Sequence, residues 1–572
     1  MTSYNKHFHF NHEVLGDLIG IARREDLVQF RGIPFASIPA RFRQSIVATS
    51  LPASPFDATK PGPACPQIDL PYPAWWEGPL PDYGLPLALP EQEEFKCLNL
   101  NLTIPREALD KPHTRKLPVL VFIHGGGFIG GSQSIQVGGR EIYDAYNLVS
   151  TSLNLQKGLI VVSINYRLGP LGFLASSHLE AFNKKHEEPV GNYGLHDQRQ
   201  ALEWVSKYIE GFGGNPDNVT IQGTSAGGVS CHIQSIFPQR KFQRAICASG
   251  TIPSLAAQPL DEHNIYFDNL CQQVGGIPQG EDAVAFLQSV SPERLVSTAP
   301  RLAYRPVVDG HWIPSQDLPS ILSTIRDAPD IIMGSCANEN EFGEVLFGSD
   351  DIRSVSPADA RPRPDNIILE KAEHLLGANG MLTMQKKPFP FSHPSVIQAY
   401  GIEDALQQPG RAWRSWARLV TDCAFGIAAV YSAVAHSRRW PTSNVFLYDF
   451  QATNPFEKSP HFHGKANHGI NDLCLFNVAE DLVPERHLED WRGAVAQVQS
   501  VWTDICHQKL PWGRFNVSID EELDLKKMGP VFVFSNGGKK DVEETLEDAL
   551  SAGFPEKWST VLDVIQDSTS TT

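Results

Sequence analysis

The stretch "VTIQGTSAGGVS", residues 219 to 230, sets Ser225 between glycines where an apolar run gives way to small residues. A serine hydroxyl attacks an acyl carbonyl only when it is exposed, relieved of its proton by a base, and faced by donors for the developing oxyanion. Two readings of the stretch are open. G-x-S-x-G also occurs as a plain tight turn. In a nucleophile elbow the serine instead sits on a strained strand-to-helix turn, and its neighbours are small because side chains would clash. The flanks favour the elbow. Val219, Thr220 and Ile221 are strand formers. Residues 226–236 predict a helix whose N-terminus places partial positive charge near Ser225, where negative charge develops.

The second stretch with chemical meaning is "HGGGF", residues 124–128. An oxyanion hole needs backbone N–H groups converging on one oxygen with no side chains in the way. A glycine turn after a strand is the plain alternative. Three consecutive glycines are costly in chain entropy, which argues for a use. The expected donors are the N–H groups of Gly126, Gly127 and Ala226.

These residues need elements to position them. "LPVLVFIHGGG" (117–127) and "GLIVVSINYRLG" (158–169) are near-continuous aliphatic runs, as expected of strands buried on both faces of a sheet. "GLHDQRQALEWVSKYIEGFGG" follows, with Leu202, Val205 and Ile209 on one helical face and glycines ending it. "KFQRAICASG" (241–250), "DIIMGSCA" (330–337) and "NVFLYDF" (444–450) read as later strands. Strand, helix, strand in succession implies a mainly parallel, doubly wound α/β sheet. "HFHFNH" (7–12) alternates at strand period and predicts a two-faced N-terminal strand. About residues 66–96, 251–306 and 348–440 read as insertions into one catalytic domain that spans the chain.

Composition bounds the rest. The chain has 572 residues, 41% apolar and 20% charged, with a net charge of −17. That is a globular composition, and with no Lys/Arg cluster it argues against nucleic acid and anionic membrane surfaces. No stretch approaches a transmembrane span, and the first residues contain no apolar run of signal-peptide length, so the expected location is cytoplasmic. Nine cysteines without a C-x-x-C suggest neither a zinc module nor a thioredoxin-like site. His461 and His463 form an H-x-H, yet no acidic or cysteine partner has metal-site spacing. The expectation is therefore no metal and no cofactor.

In their order and spacing, the blocks "FRGIPFA" (30–36), "GPACPQ" (62–67), "CLNLNL" (97–102), "FIHGGGF" (122–128), "VVSINYRLGPLGFL" (161–174), "GNYGLHDQRQALEWV" (191–205), "GTSAGG" (223–228) and "PVVDG" (306–310) resemble the type-B carboxylesterase/lipase family, the cholinesterase-like branch of the α/β-hydrolases. The resemblance runs from about residue 13 to about residue 535. It implies an α/β-hydrolase fold, with the insertions forming a lid or gorge, and a triad in the chain order Ser, acid, His. The acid is expected in a block of the form N-x-x-E; "MGSCANENEFG" (333–343) fits with Asn338 and Glu341. The family usually has glycine after this acid where this chain has Phe342, which keeps Glu339 as an alternative. His468 in "ANHGINDLCLF" is the implied base. Cys65 and Cys97 match a family disulfide, and their redox state stays open. Phe128 is expected to shape the acyl pocket. Trp75 and Trp76 either line the gorge or anchor its loop.

One further departure concerns substrate. The family often has Glu before the nucleophile, and here it is Thr224. A neutral hydroxyl removes a negative charge beside the serine and weakens the case for a cationic substrate. The implied activity is hydrolysis of a small or medium acyl ester, a small-molecule substrate, through an acyl-enzyme. The competing readings are a catalytically inactive binding module, and an acyltransferase or eliminating enzyme using the same site. The oligomeric state stays open.

Overall fold

The computed structural model describes residues 6–23, 25–67, 88–114, 116–276, 281–298, 304–339, 393–402, 415, 418–419, 421–457, 459, 462–515, 517, 525, 528–538, 543–549 and 557–563. The aliphatic runs expected as strands form the middle of one large sheet. Its strands, in chain order, are β1 (Lys6–His12), β2 (Gly16–Ala22), β3 (Leu27–Pro34), β4 (Phe56–Asp57), β5 (Asn99–Pro105), β6 (Leu117–Ile123), β7 (Ile160–Ile164), β8 (Gly214–Thr224), β9 (Arg244–Ala248), β10 (Asp330–Cys336), β11 (Val445–Phe450), β12 (Val531–Phe534) and β13 (Glu543–Glu544). Across the sheet the order is β1-β2-β3-β5-β7-β6-β8-β9-β10-β11-β12-β13, with β4 on β2. From β7 through β12 every pairing is parallel. β1, β2, β3 and β5 add an antiparallel flank.

The parallel centre is buried on both faces, which is why its strands are apolar at successive positions. Along β6, Val119, Val121 and Ile123 enter one core while Leu120 and Phe122 enter the other. The helices are α1 (Tyr146–Asn154), α2 (Tyr193–Tyr208), α3 (Ala226–Ile236), α4 (Ile427–Arg439), α5 (Ile470–Phe476) and α6 (Glu485–Cys506). Side chains of α2, α3 and α4 fill the first core, and those of α1, α5 and α6 fill the second. The mainly parallel sheet between two helical layers agrees with the expected doubly wound architecture.

The outer antiparallel strands carry weaker sequence signals. β1 alternates as expected, with Phe8 and Phe10 packed inward on Phe30 and His7 and His9 exposed. β8 starts at Gly214, earlier than its apolar run at Val219, and its register on β6 shifts between those two residues. The polar stretch "GNPDN" hides that extension, because a bulged strand end needs no apolar alternation. Within 251–306, helices Leu260–Gln273, Glu281–Ser289 and Pro292–Thr298 are present.

Candidate active site

Because β6, β8, β9, β10 and β11 run parallel, their carboxyl ends lie on one edge of the sheet. That edge is where open α/β sheets bind ligands. It receives HGGG after β6, Ser225 after β8, Glu339 after β10 and the His468 loop after β11.

Ser225 joins β8 directly to α3, with φ 62 and ψ −127. A non-glycine residue held there is strained, and the surroundings enforce it. Ser225 N–H donates to Ala248 O at 2.9 Å, and Ser225 O accepts from Val229 N–H at 3.0 Å. Neighbouring backbone leaves no room for a Cβ. One built on Gly223 would lie 2.4 Å from the Gly227 carbonyl, one on Gly227 would lie 2.1 Å from Ile123 O, and one on Gly250 would lie 2.1 Å from Ser225 O. Glycine is thus required for close approach here. Ser225 is half-buried in a run of buried neighbours, so the turn delivers it toward the open edge.

The glycine loop lies against this serine. A Cβ on Gly125 would be 3.1 Å from Ser225 Cβ. Gly126 and Gly127 have φ 112 and 62, and a Cβ on Gly126 would meet Gly130 O at 2.0 Å. The loop is braced from behind. Burial pushes the His124 imidazole down to about 4, so it is neutral, and its Nδ1 lies 2.8 Å from Gly125 O. The Tyr166 hydroxyl donates to His124 O at 2.9 Å and the two rings stack 4.5 Å apart. Among the described residues, the N–H groups of Gly126, Gly127 and Ala226 donate to no protein acceptor.

His468 Nδ1 lies 2.6 Å from Glu339 Oε2, and the two side chains are 9% and 4% exposed. Glu339 Oε1 accepts from Cys336 N–H at 2.9 Å. A carboxylate only accepts, so this hydrogen bond requires the proton on Nδ1. The loops holding the two residues are joined. Asn338 N–H donates to Ala466 O at 2.9 Å, and Ala466 N–H donates to Asn338 Oδ1 at 3.0 Å. The expected acid, Glu341, lies outside the described residues together with Phe342; the carboxylate on His468 is the alternative, Glu339.

Other expected residues fall as follows. Phe128 is fully buried with φ 62, its ring centroid 4.6 Å from that of Phe173. Trp75 and Trp76 lie outside the described residues. Cys65 and Cys97 are buried free thiols. The neighbouring Cys65 thiol and then burial hold the Cys97 thiol well above its ordinary value, so the two are adjacent without a bond. His463 is exposed, and no cluster of His, Cys, Asp or Glu among the described residues could hold a metal.

Sequence reading missed the partner of Thr224. Its buried hydroxyl donates to Asp472 Oδ1 at 2.6 Å, so a carboxyl does stand beside the residue preceding Ser225. Burial pushes this carboxyl up to about 7, against the opposing effects of the Thr224 hydrogen bond and His468. Sequence reading also missed Phe425. A π-helical turn, Asp422–Gly426, places its ring 4.8 Å from that of His468. π-turns often mark functional sites, but their local sequence carries no distinctive pattern.

Comparison with known proteins adds an independent line. The model of the carboxylesterase family matches residues 11–503. The chain is 31% identical over 460 residues to para-nitrobenzyl esterase of Bacillus subtilis (strain 168), covering 76% of this chain and 77% of that protein. It is 26% identical over 463 residues to bile salt-activated lipase of Bos taurus, covering 75% and 71% of the two chains. Lipase 4 of Diutina rugosa is 32% identical over 375 residues, 58% of this chain and 61% of the lipase. A solved PNB esterase superposes with a TM-score of 0.66 at 24% identity, covering 93% of this chain and 96% of the other, which supports the fold.

Proposed function

The chain belongs to the carboxylesterase family and is a carboxylic ester hydrolase of the α/β-hydrolase fold; from that premise we propose that it acts through Ser225, His468 and Glu339 on small or medium acyl esters. The observation that carries the proposal is the 2.6 Å pairing of His468 with a buried carboxylate, on the sheet edge that also bears the strained serine turn. Ser225 Oγ adds to the ester carbonyl carbon as its proton passes to His468 Nε2. The carbonyl oxygen takes the negative charge and faces the N–H groups of Gly126, Gly127 and Ala226. Each such donor is worth on the order of 3 kcal/mol in the transition state. The tetrahedral intermediate collapses, the C–O bond to the alcohol breaks, and the alcohol leaves with the proton from His468. A water then gives a proton to His468 and its oxygen to the acyl carbon; the bond from that carbon to Ser225 Oγ breaks, Oγ takes the proton back from His468, and the acid leaves. Glu339 keeps the imidazole in its tautomer and offsets the imidazolium charge. The chain is read as one catalytic domain, with the insertions at about 66–96, 251–306 and 348–440 shaping the substrate gorge.

The test is hydrolysis of p-nitrophenyl esters of graded acyl length by the wild type and Ser225→Ala, beside fluorophosphonate labelling mapped to the modified peptide. Expected are turnover that falls by at least about 10³-fold in the variant, preference for short and medium chains, and label on Ser225. A folded wild type with neither turnover nor label at Ser225 overturns the reading.

A further inference from the structure

Thr224 immediately precedes the nucleophile, and its side chain is tied into a closed ring of three residues. The Thr224 hydroxyl donates to Asp472 Oδ1 at 2.6 Å. Asn471 Nδ2 donates to Thr224 Oγ1 at 3.1 Å and to Asp472 Oδ1 at 3.3 Å. The ring continues to the acid. Cys336 Sγ–H faces Asn471 Oδ1 at 3.6 Å, while the backbone N–H of Cys336 holds Glu339. Asp472 lies in α5, four residues after His468, so one short segment carries the base and this carboxyl. Asp472 is 6% exposed. The titratable groups that face it are His468, Cys474 on its own helix, Tyr143 on the segment before α1, and Tyr448 on β11. Of these, His468 is the group that becomes positive, and it favours the ionised carboxyl.

Resting on the hydrolase reading above, we propose that Asp472 is a positioning residue of the reaction: through Thr224 it clamps the elbow, and as a second carboxylate it stabilises the imidazolium form of His468. The position before the serine holds a neutral hydroxyl, and Asp472 supplies from α5 the charge that this position lacks. Its carboxyl, pushed up to about 7 by burial, changes charge in the range where such an enzyme works. The charge strengthens as the pH rises through that value, and it favours the proton on His468 as Ser225 gives it up.

The test is the pH dependence of kcat/KM for p-nitrophenyl butyrate with the wild type, Asp472→Asn, Thr224→Val and Thr224→Ser, each beside its rate of fluorophosphonate labelling. The Asp472 carboxyl gains its charge as the pH rises through about 7, so kcat/KM of the wild type keeps rising across that range. Asp472→Asn removes this part of the limb and lowers the plateau about tenfold. Thr224→Val, which withdraws the hydroxyl that favours the ionised carboxyl, moves it to higher pH, and Thr224→Ser restores it. If Asp472→Asn does not fold, the Val and Ser variants carry the same comparison. An active, labelled wild type whose acid limb is unmoved in the variants overturns the positioning role alone. A wild type that neither hydrolyses the ester nor takes label overturns the hydrolase reading, and this role with it.

Discussion

At the scale of single residues, the assignment that matters most is the carboxylate on His468. Two glutamates two positions apart offer themselves in "ANENEF": the N-x-x-E block points to Glu341, and Phe342 in place of the family's glycine keeps Glu339 open. His468 Nδ1 lies 2.6 Å from Glu339 Oε2, and the proposed triad takes Glu339 as its acid on that contact. Glu339 is reached because Asn338 pairs with Ala466, which brings the acid loop alongside the histidine loop. The expected consequence is that Glu339→Gln lowers kcat by up to about 10⁴-fold, because the neutral amide no longer fixes the tautomer or offsets the imidazolium. Glu341→Gln is expected to cost far less. Steady-state kinetics of the two variants side by side decides between them, and a larger loss at Glu341 would reassign the acid.

At the scale of elements, the elbow depends on three backbones meeting. β8, α3 and the end of β6 approach so closely at Gly227 that one methyl group there would lie 2.1 Å from Ile123 O. Backbone on one side cannot yield as a flexible side chain would. Gly227→Ala is therefore expected to destabilise the fold by about 1–3 kcal/mol and to lower hydrolysis through a displaced Ser225. Urea-unfolding midpoints measured with the ester assay check both effects; an unchanged midpoint would mean that the turn relaxes without cost. The G-x-S-x-G spacing and the small residue at each position were legible in the chain, since close approach admits few residue types. The π-turn that sets Phe425 on His468 was not, and the groups packed on it come from outside the turn. Gly426 gives way to Trp558, whose ring would stand 2.1 Å from a Cβ at that position, and Asp422 accepts from the Tyr400 hydroxyl at 2.8 Å.

At the scale of the whole molecule, acid sensitivity follows from buried histidines. Burial lowers His124, His196 and His263 to about 4 and His436 to about 3, and holds His232 well below its ordinary value. His232 and His436 face each other with their Nε2 atoms 2.9 Å apart, between α3 and α4. Each of these groups binds a proton in the unfolded chain below about pH 6.5 but not in the folded one, so stability falls as the pH drops through that window. Two buried carboxyls act in the opposite sense. Burial raises Asp422 to about 6 and Asp472 to about 7, so they favour the fold while still protonated there and lose that contribution as the pH rises. The histidines outnumber them, and each contributes up to about 1.4 kcal/mol per pH unit. Thermal melting from pH 8 to pH 4 is expected to show a Tm that falls progressively below about pH 6.5. A Tm that stays flat down to pH 4 would contradict the burial of these rings. No helix among the described residues is long and apolar enough to cross a membrane.

What the sequence by itself determined is whatever a local pattern must encode. Continuous aliphatic runs specify strands buried on both faces. "HGGG" and "GTSAGG" mark places where backbone meets backbone, and their order along the chain implies the reaction class. Tertiary structure alone decided which residues meet across the chain. It set Glu339 on His468 over a separation of 129 residues, and it joined Thr224 to Asp472 over a separation of 248. A carboxyl missing from the position before the serine is thus returned from a helix near the other end of the catalytic chain segment. The physical reason is that side-chain hydrogen bonds depend on which strands lie adjacent in the sheet and where their loops emerge. Neither is written in the neighbours of a residue.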